Sequence, residues 1–141
     1  MLVKQISVFV ENKPGRLLEM LKTLGENNID LSALSVADTT EFGIARMIVC
    51  DAEKAKKVLK DHGVIVKITD VVIISVPDEP GALIKALEVL NENKIAIEYM
   101  YAFSEKIDNN SLIVLRCDDV VKAVEALNDA GVKLVSQNEI K

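Results

Sequence analysis

The chain has 141 residues, half of them hydrophobic and 28% charged, which is the balance of a compact folded protein rather than a disordered one. A formal net charge of -5, with no Trp and only 4% aromatic residues, repels a phosphate backbone and offers little to stack on bases, so nucleic acid is excluded as the expected partner. The length fits one ordinary domain or two small ones.

In chain order, "VKQISVFV" from Val3 alternates as a strand, and Leu17, Leu18, Leu21 and Leu24 then take the three-and-four spacing of a helix. The runs "ALSVADT" and "FGIARMIVC" read as strands, and the turn-forming "TTEFG" from Thr39 joins them as a hairpin. Asp51 is placed to cap a second helix, "AEKAKKVLKDH", and Gly63 to end it. A fourth strand, "VIVKI", leads without a linker into "DVVIISV". The order then repeats: a helix from Pro80, strands "IEYMYAF" and "SLIVLRC" around "KIDNN", a helix from Val120 to Ala130 ended by Gly131, and a last strand, "VKLVSQ".

Sliding the sequence by 66 positions gives eight identities in the 21 positions from Pro14 to Leu34, among them Pro14 with Pro80, Gly15 with Gly81 and Asn27 with Asn93. Farther along, the shift grows by a residue or two and sets "CDAEKAKK" from Cys50 over "CDDVVKAV" from Cys117. The chain is therefore expected to be α+β. It should hold two ferredoxin-like βαββαβ units, residues 1–68 and 69–141, packed side by side, each an antiparallel sheet with both helices on one face. Units of about 70 residues bury limited cores, which favours a shared interface or an oligomer. Residues 1–68 hold 10 basic and 9 acidic side chains, and residues 69–141 hold 7 and 13, so the repeat shares a plan but not a surface.

The joints "ENKPGRLLEML" and "PDEPGALIKAL" concentrate the chemistry. Pro in a first helical turn loses no hydrogen bond, and Gly beside it lets another group approach the backbone. The amides of Gly15, Arg16 and Leu17, and of Gly81, Ala82 and Leu83, are then expected to point out of the helix start and suit a carboxylate. Asn12 and Asp78, two residues before each Pro, can cap the helix or accept from a ligand's ammonium group. The plain alternative is a tight strand-to-helix turn with its cap, which a duplicated fold would duplicate.

The pattern strand, Asx-x-Pro-Gly-x-Leu, helix, "ENNIDLSAL", strand resembles the ACT domain, the small amino-acid-sensing module attached to many enzymes of amino-acid metabolism. The resemblance covers essentially the whole chain as two tandem copies, "NKPGRLLEMLKTLGENNIDL" the stronger and "DEPGALIKALEVLNENKIAI" close behind, with no catalytic domain beside them. It implies a ligand at the interface between paired ACT units, held by the loop after the first strand and by the start of the neighbour's second strand. Carried over, the loop residues are Asn12, Lys13, Gly15, Arg16 and Leu17, and Asp78, Glu79, Gly81, Ala82 and Leu83. The strand starts are Asp30, Leu31 and Ser32, and Ala96, Ile97 and Glu98. Asn12 becomes Asp78 and Asp30 becomes Ala96, so the two sites are not chemically equivalent. The implied protein is a non-catalytic regulator, a homodimer with a free amino acid as ligand and an enzyme of amino-acid metabolism as a further partner. An interaction module docking on such an enzyme without its own ligand is the alternative.

Other features carry less. His62, the one histidine, sits at a helix end where its imidazole can satisfy a terminal carbonyl, with no nucleophile or acid in a constellation with it. Cys50 and Cys117 are read as buried packing residues at matching strand ends of a reduced, cytoplasmic protein. Glu125 and Asp129 give no metal-ligand spacing, and there is no P-loop or nucleotide fingerprint, so no metal or cofactor is expected. "MLVKQISVFVENK" lacks the apolar core of a signal peptide, and "VVIISV" is far short of the roughly 20 residues that span a bilayer, so no membrane association is expected. "EKAKK" reads as a solvated helix face. A phosphate-cleaving enzyme on the same plan would need an Arg at the turn. Arg16 is the one candidate, and its counterpart is Ala82. RNA binding on the sheet lacks paired aromatics.

Overall fold

The computed structural model describes residues 1–38 and 42–140. In order these form β1 (Val3–Glu11), α1 (Arg16–Glu26), β2 (Leu31–Asp38), β3 (Phe42–Val49), α2 (Ala52–Asp61), β4 (Val66–Pro77), α3 (Ala82–Glu92), β5 (Ile97–Ala102), β6 (Asn110–Cys117), α4 (Val120–Asp129) and β7 (Lys133–Leu134), then a 3-10 turn at Gln137–Glu139. The chain divides into two compact units, one of residues 4–69 and one of residues 1–3 with 70–140. Thr39, Thr40 and Glu41 of the expected hairpin turn "TTEFG" lie outside the described residues.

Unit 4–69 is a βαββαβ layer with strands in the order β2-β3-β1-β4. The pairs β1·β3 and β2·β3 are antiparallel, with Ile6 opposite Met47, Val8 opposite Ala45 and Leu34 opposite Met47. Alternation along β1 aims Ile6 and Val8 at the helices. Met20 and Leu24 of α1 and Ala55 and Leu59 of α2 close over them, which puts both helices on one face of the sheet. Unit 70–140 repeats the layer as β5-β6-β4-β7, with Val72 opposite Leu115 and Ile74 opposite both Ile113 and Leu134. Its core joins Val72, Ile74 and Leu115 to Ala86 and Leu90 of α3 and Ala123 and Leu127 of α4. Burying side chains of this size stabilises by about 1.5–3 kcal/mol each.

Local signals are written twice. Asp51 accepts from the Lys54 amide at 3.1 Å and Asp119 from the Lys122 amide at 3.0 Å, so each caps its helix. Asn27 and Asn93 end α1 and α3 by donating side-chain amides to Thr23 O and Val89 O, both at 2.8 Å. Gly63 and Gly131 take φ of +77° after α2 and α4. Both edge strands break register at their start, between Leu31 and Ala33 and between Ile97 and Tyr99.

One detail of the repeat differs from expectation. The caps fix the match of Asp51 with Asp119, so Cys50 matches Asp118 and Val49 matches Cys117. Cys50 is exposed and only Cys117 is buried, which corrects the reading of two equivalent packing thiols. The extra residue falls at the strand end, where two consecutive Asp in "CDD" hide it from an ungapped comparison.

Candidate functional site

Each joint is a turn set by its Pro-Gly pair. The Arg16 amide donates to Lys13 O at 3.3 Å and the Ala82 amide to Glu79 O at 3.2 Å. Gly15 sits at φ 85°, ψ -12° and Gly81 at φ 80°, ψ -2°. These are the dihedrals of the third residue of a type II turn, with Pro at the second, where φ must be positive and Gly is favoured. The helices therefore begin one residue after Gly, and Pro precedes them instead of occupying their first turn. Arg16 and Ala82 use their amides in the turn, while those of Gly15 and Leu17, and of Gly81 and Leu83, bond no backbone acceptor among the described residues.

Asn12 and Asp78 do not cap the helices, since neither helix start has a side-chain cap. Each is held instead by the hairpin that closes beside it. Asn12 Nδ2 donates to Asp38 Oδ1 at 3.3 Å, and among the described residues Asn12 Oδ1 and the second Asp38 oxygen remain as an acceptor pair. Asp78 takes the Lys106 ammonium as an ion-pair partner, and its amide donates to Asn109 O at 3.2 Å. Lys13 pairs with Glu11 at 3.1 Å and Arg16 with Glu19 at 3.3 Å, all exposed. The Lys13 ammonium, by its hydrogen bond and charge, holds the Glu11 carboxyl below its ordinary value. A groove of about 630 Å³ adjoins the first joint through Glu11 and Arg16 and includes the apolar Phe9, Met20, Phe42 and Ile65. Phe9 is 41% exposed and Phe42 46%, so an apolar surface lies open beside the charged turn.

The other expected site residues divide between core and surface. Leu17 and Leu31 pack on the core of unit 4–69, and Ala82, Leu83 and Ile97 on that of unit 70–140, so these five anchor the joint or strand to the layer. Ser32 and Glu98 lie at the register shifts. The Asp30 amide donates to Cys50 Sγ at 3.3 Å, and its exposed carboxylate has no partner among the described residues. At the matching place the Ala96 amide donates to Asp118 Oδ1 at 3.1 Å. Glu98 pairs with Arg116 at 3.3 Å, and Arg116 also donates to Asp70 O at 2.7 Å.

Within a unit the structure does not bring Asn12 and Asp30 together. Asn12 meets Asp38 at the end of β2, whereas Asp30 immediately precedes its start, and an eight-residue strand is about 25 Å long. Asp38 and Lys106 were missed in the sequence because each reaches its joint only through hairpin closure, 26 and 28 residues away. Burial and Asp118 push the Cys117 thiol up to about 11. The exposed His62 Nδ1 lies 2.9 Å from Val58 O, a helix-end contact, as expected. Among the described residues no group of three or more side chains could hold a metal ion, and no helix is long and apolar enough to cross a membrane.

Comparison with known proteins places these features in a wider set. A family model described as an ACT domain pair matches residues 1–141. The crystal structure of protein BT0572 from Bacteroides thetaiotaomicron is 45% identical, with TM-score 0.92 over 99% of this chain and 95% of that one. The ligand-free regulatory subunit of aspartate kinase from Thermus thermophilus superposes with TM-score 0.64 at 15% identity, over 90% of this chain and 91% of that one. The aspartate kinase of Clostridium acetobutylicum gives 0.57 at 14% identity, over 90% of this chain and 32% of that one. These last two likenesses speak to the fold alone. No curated protein matches the sequence.

Proposed function

The chain belongs to the ACT domain family, as an ACT domain pair over residues 1–141, and from that membership we propose that it is a non-catalytic cytoplasmic regulator that senses a free amino acid. In this reading residues 1–68 and 69–141 are the two ACT units, and a second copy of the chain completes the binding surface as a homodimer. The observation that carries the reading is the first joint. Asn12 Oδ1 and the Asp38 carboxylate form an ammonium acceptor, and Lys13, Arg16 and the amides of Gly15 and Leu17 lie on the turn that would meet a carboxylate. Lys13 and Arg16 pair with the exposed Glu11 and Glu19, and the turn amides of Gly15 and Leu17 stand beside them as further donors for a carboxylate. The groove beside Phe9, Met20 and Phe42 would take the side chain. Asp30, Leu31 and Ser32 of the paired copy would form the opposite wall.

Binding would favour one arrangement of the paired units and so bias a partner, with an enzyme of amino-acid metabolism as the partner class. The experiment is calorimetric titration of dialysed protein with each of the common amino acids. At least one should bind, and Asn12→Ala and Asp38→Asn should each weaken it about tenfold or more, since the first removes an acceptor for the charged ammonium and the second removes the opposing charge. Absence of heat across the whole panel would remove the reading. Sedimentation of the protein as a monomer, with and without ligand, would remove the homodimer.

A further inference from the structure

The two joints share a backbone, but their side chains are in opposite states. At the first, the two atoms suited to accept an ammonium have no partner among the described residues, and the neighbouring side chains Lys13 and Arg16 are cationic. At the second, the acceptor Asp78 already holds an ammonium, that of Lys106 from the loop between β5 and β6. The positions of Lys13 and Arg16 are taken by Glu79 and Ala82, so an incoming carboxylate would meet an anion where the first joint has a cation. The strand starts repeat the contrast. The Asp30 carboxylate has no partner among the described residues, whereas Ala96 at the matching position offers no carboxylate and Glu98 is engaged by Arg116.

Resting on the sensor reading, we infer that the second joint is closed by the chain's own Lys106. Its ammonium stands on Asp78 in place of a ligand's, and the first joint alone receives the free amino acid. A surface ion pair between two free residues is weak. What separates the joints is which group is occupied. At the second, the ammonium acceptor itself carries the tethered Lys106 ammonium, at an effective concentration on the order of millimolar. At the first, the tethered pairs engage the cations and leave the acceptor and the turn amides to a ligand. Lys106 is thus a selector between two copies of one turn. It acts through Asp78 and has no role at the first joint.

The test counts ligands per chain. The full-length protein, freed of small molecules by dialysis, is titrated calorimetrically with the twenty common amino acids as wild type, as Glu79→Lys, and as the double variant Glu79→Lys, Lys106→Met. Glu79→Lys supplies the cation that the first joint has, and Lys106→Met removes the tethered ammonium while keeping an apolar stem. Wild type and Glu79→Lys should each bind one equivalent, and the double variant two, with thermal unfolding midpoints alike in all three. Two equivalents in wild type or in Glu79→Lys would overturn the inference, as would one in the double variant, and in each case the sensor reading would stand. No heat from any protein with any amino acid would remove the sensor reading and this inference with it.

Discussion

At Gly15 the backbone turns at φ +85°, and an added Cβ would meet no atom within 4 Å, so Gly15→Ala isolates the conformational term from any clash. The left-handed region costs an L-residue about 1–2 kcal/mol, and that loss is expected in urea unfolding of Gly15→Ala. Gly81→Ala should lose a similar amount, because the Ile84 Cδ1 atom 3.7 Å from its added Cβ is at ordinary contact distance. The cysteines separate more sharply. Cys50 is exposed, while the Cys117 thiol is fully buried with a pKa pushed up to about 11. Native protein at pH 8 should take one iodoacetamide adduct, at Cys50, and unfolded protein two. The raised pKa also has a sign for stability. The unfolded thiol ionises first, so the contribution is intact below the unfolded value of 9.0 and is lost as pH rises toward about 11. Cys117→Ala should therefore lose less stability than wild type across that window, as measured by urea midpoints.

The caps are the elements' clearest instructions. Removing the side-chain acceptor in Asp51→Ala or Asp119→Ala should each cost about 1 kcal/mol of unfolding free energy, and Asp→Asn at either place much less, since Asn also caps. The Asp51 cap, the Gly stops and the helix stripes were legible in the sequence because each rests on residues within one or two turns of chain. The Asp119 cap was masked by the adjacent Asp118, which the ungapped repeat sets opposite Asp51. The strands of each layer were legible through alternation, although β7 is only Lys133–Leu134 where a longer run was expected. The Pro-Gly pair was read as a helix's first turn and is a type II turn before the helix, a difference of one residue that decides which amides stay open. Asp38 and Lys106 had no local signal at all. A side chain delivered by a hairpin is set by strand register, and register depends on pairing across the sheet.

For the whole molecule, the repeat carries unequal charge: residues 1–68 hold 10 basic and 9 acidic side chains, residues 69–141 hold 7 and 13. Two of those ten, Lys13 and Arg16, stand at the joint where the ligand carboxylate is proposed to bind, and four lie on α2. A ligand that binds only the folded chain adds about 2.7 kcal/mol of stability at a free concentration one hundred times its Kd, so the right amino acid should raise the melting temperature in scanning calorimetry and its D-enantiomer should not. The strand β4 bears on how such a molecule can be taken apart. It runs unbroken from Val66 to Pro77 while the units change over between Thr69 and Asp70, and residues 1–3 belong with the second unit. Expressing either half alone, cut where the repeat changes over, would leave a severed strand with unpaired amides and carbonyls at its end. The repeat in the sequence therefore has no clean seam in the backbone, and a deletion that cut the chain back to a single copy would have to supply a new strand end there.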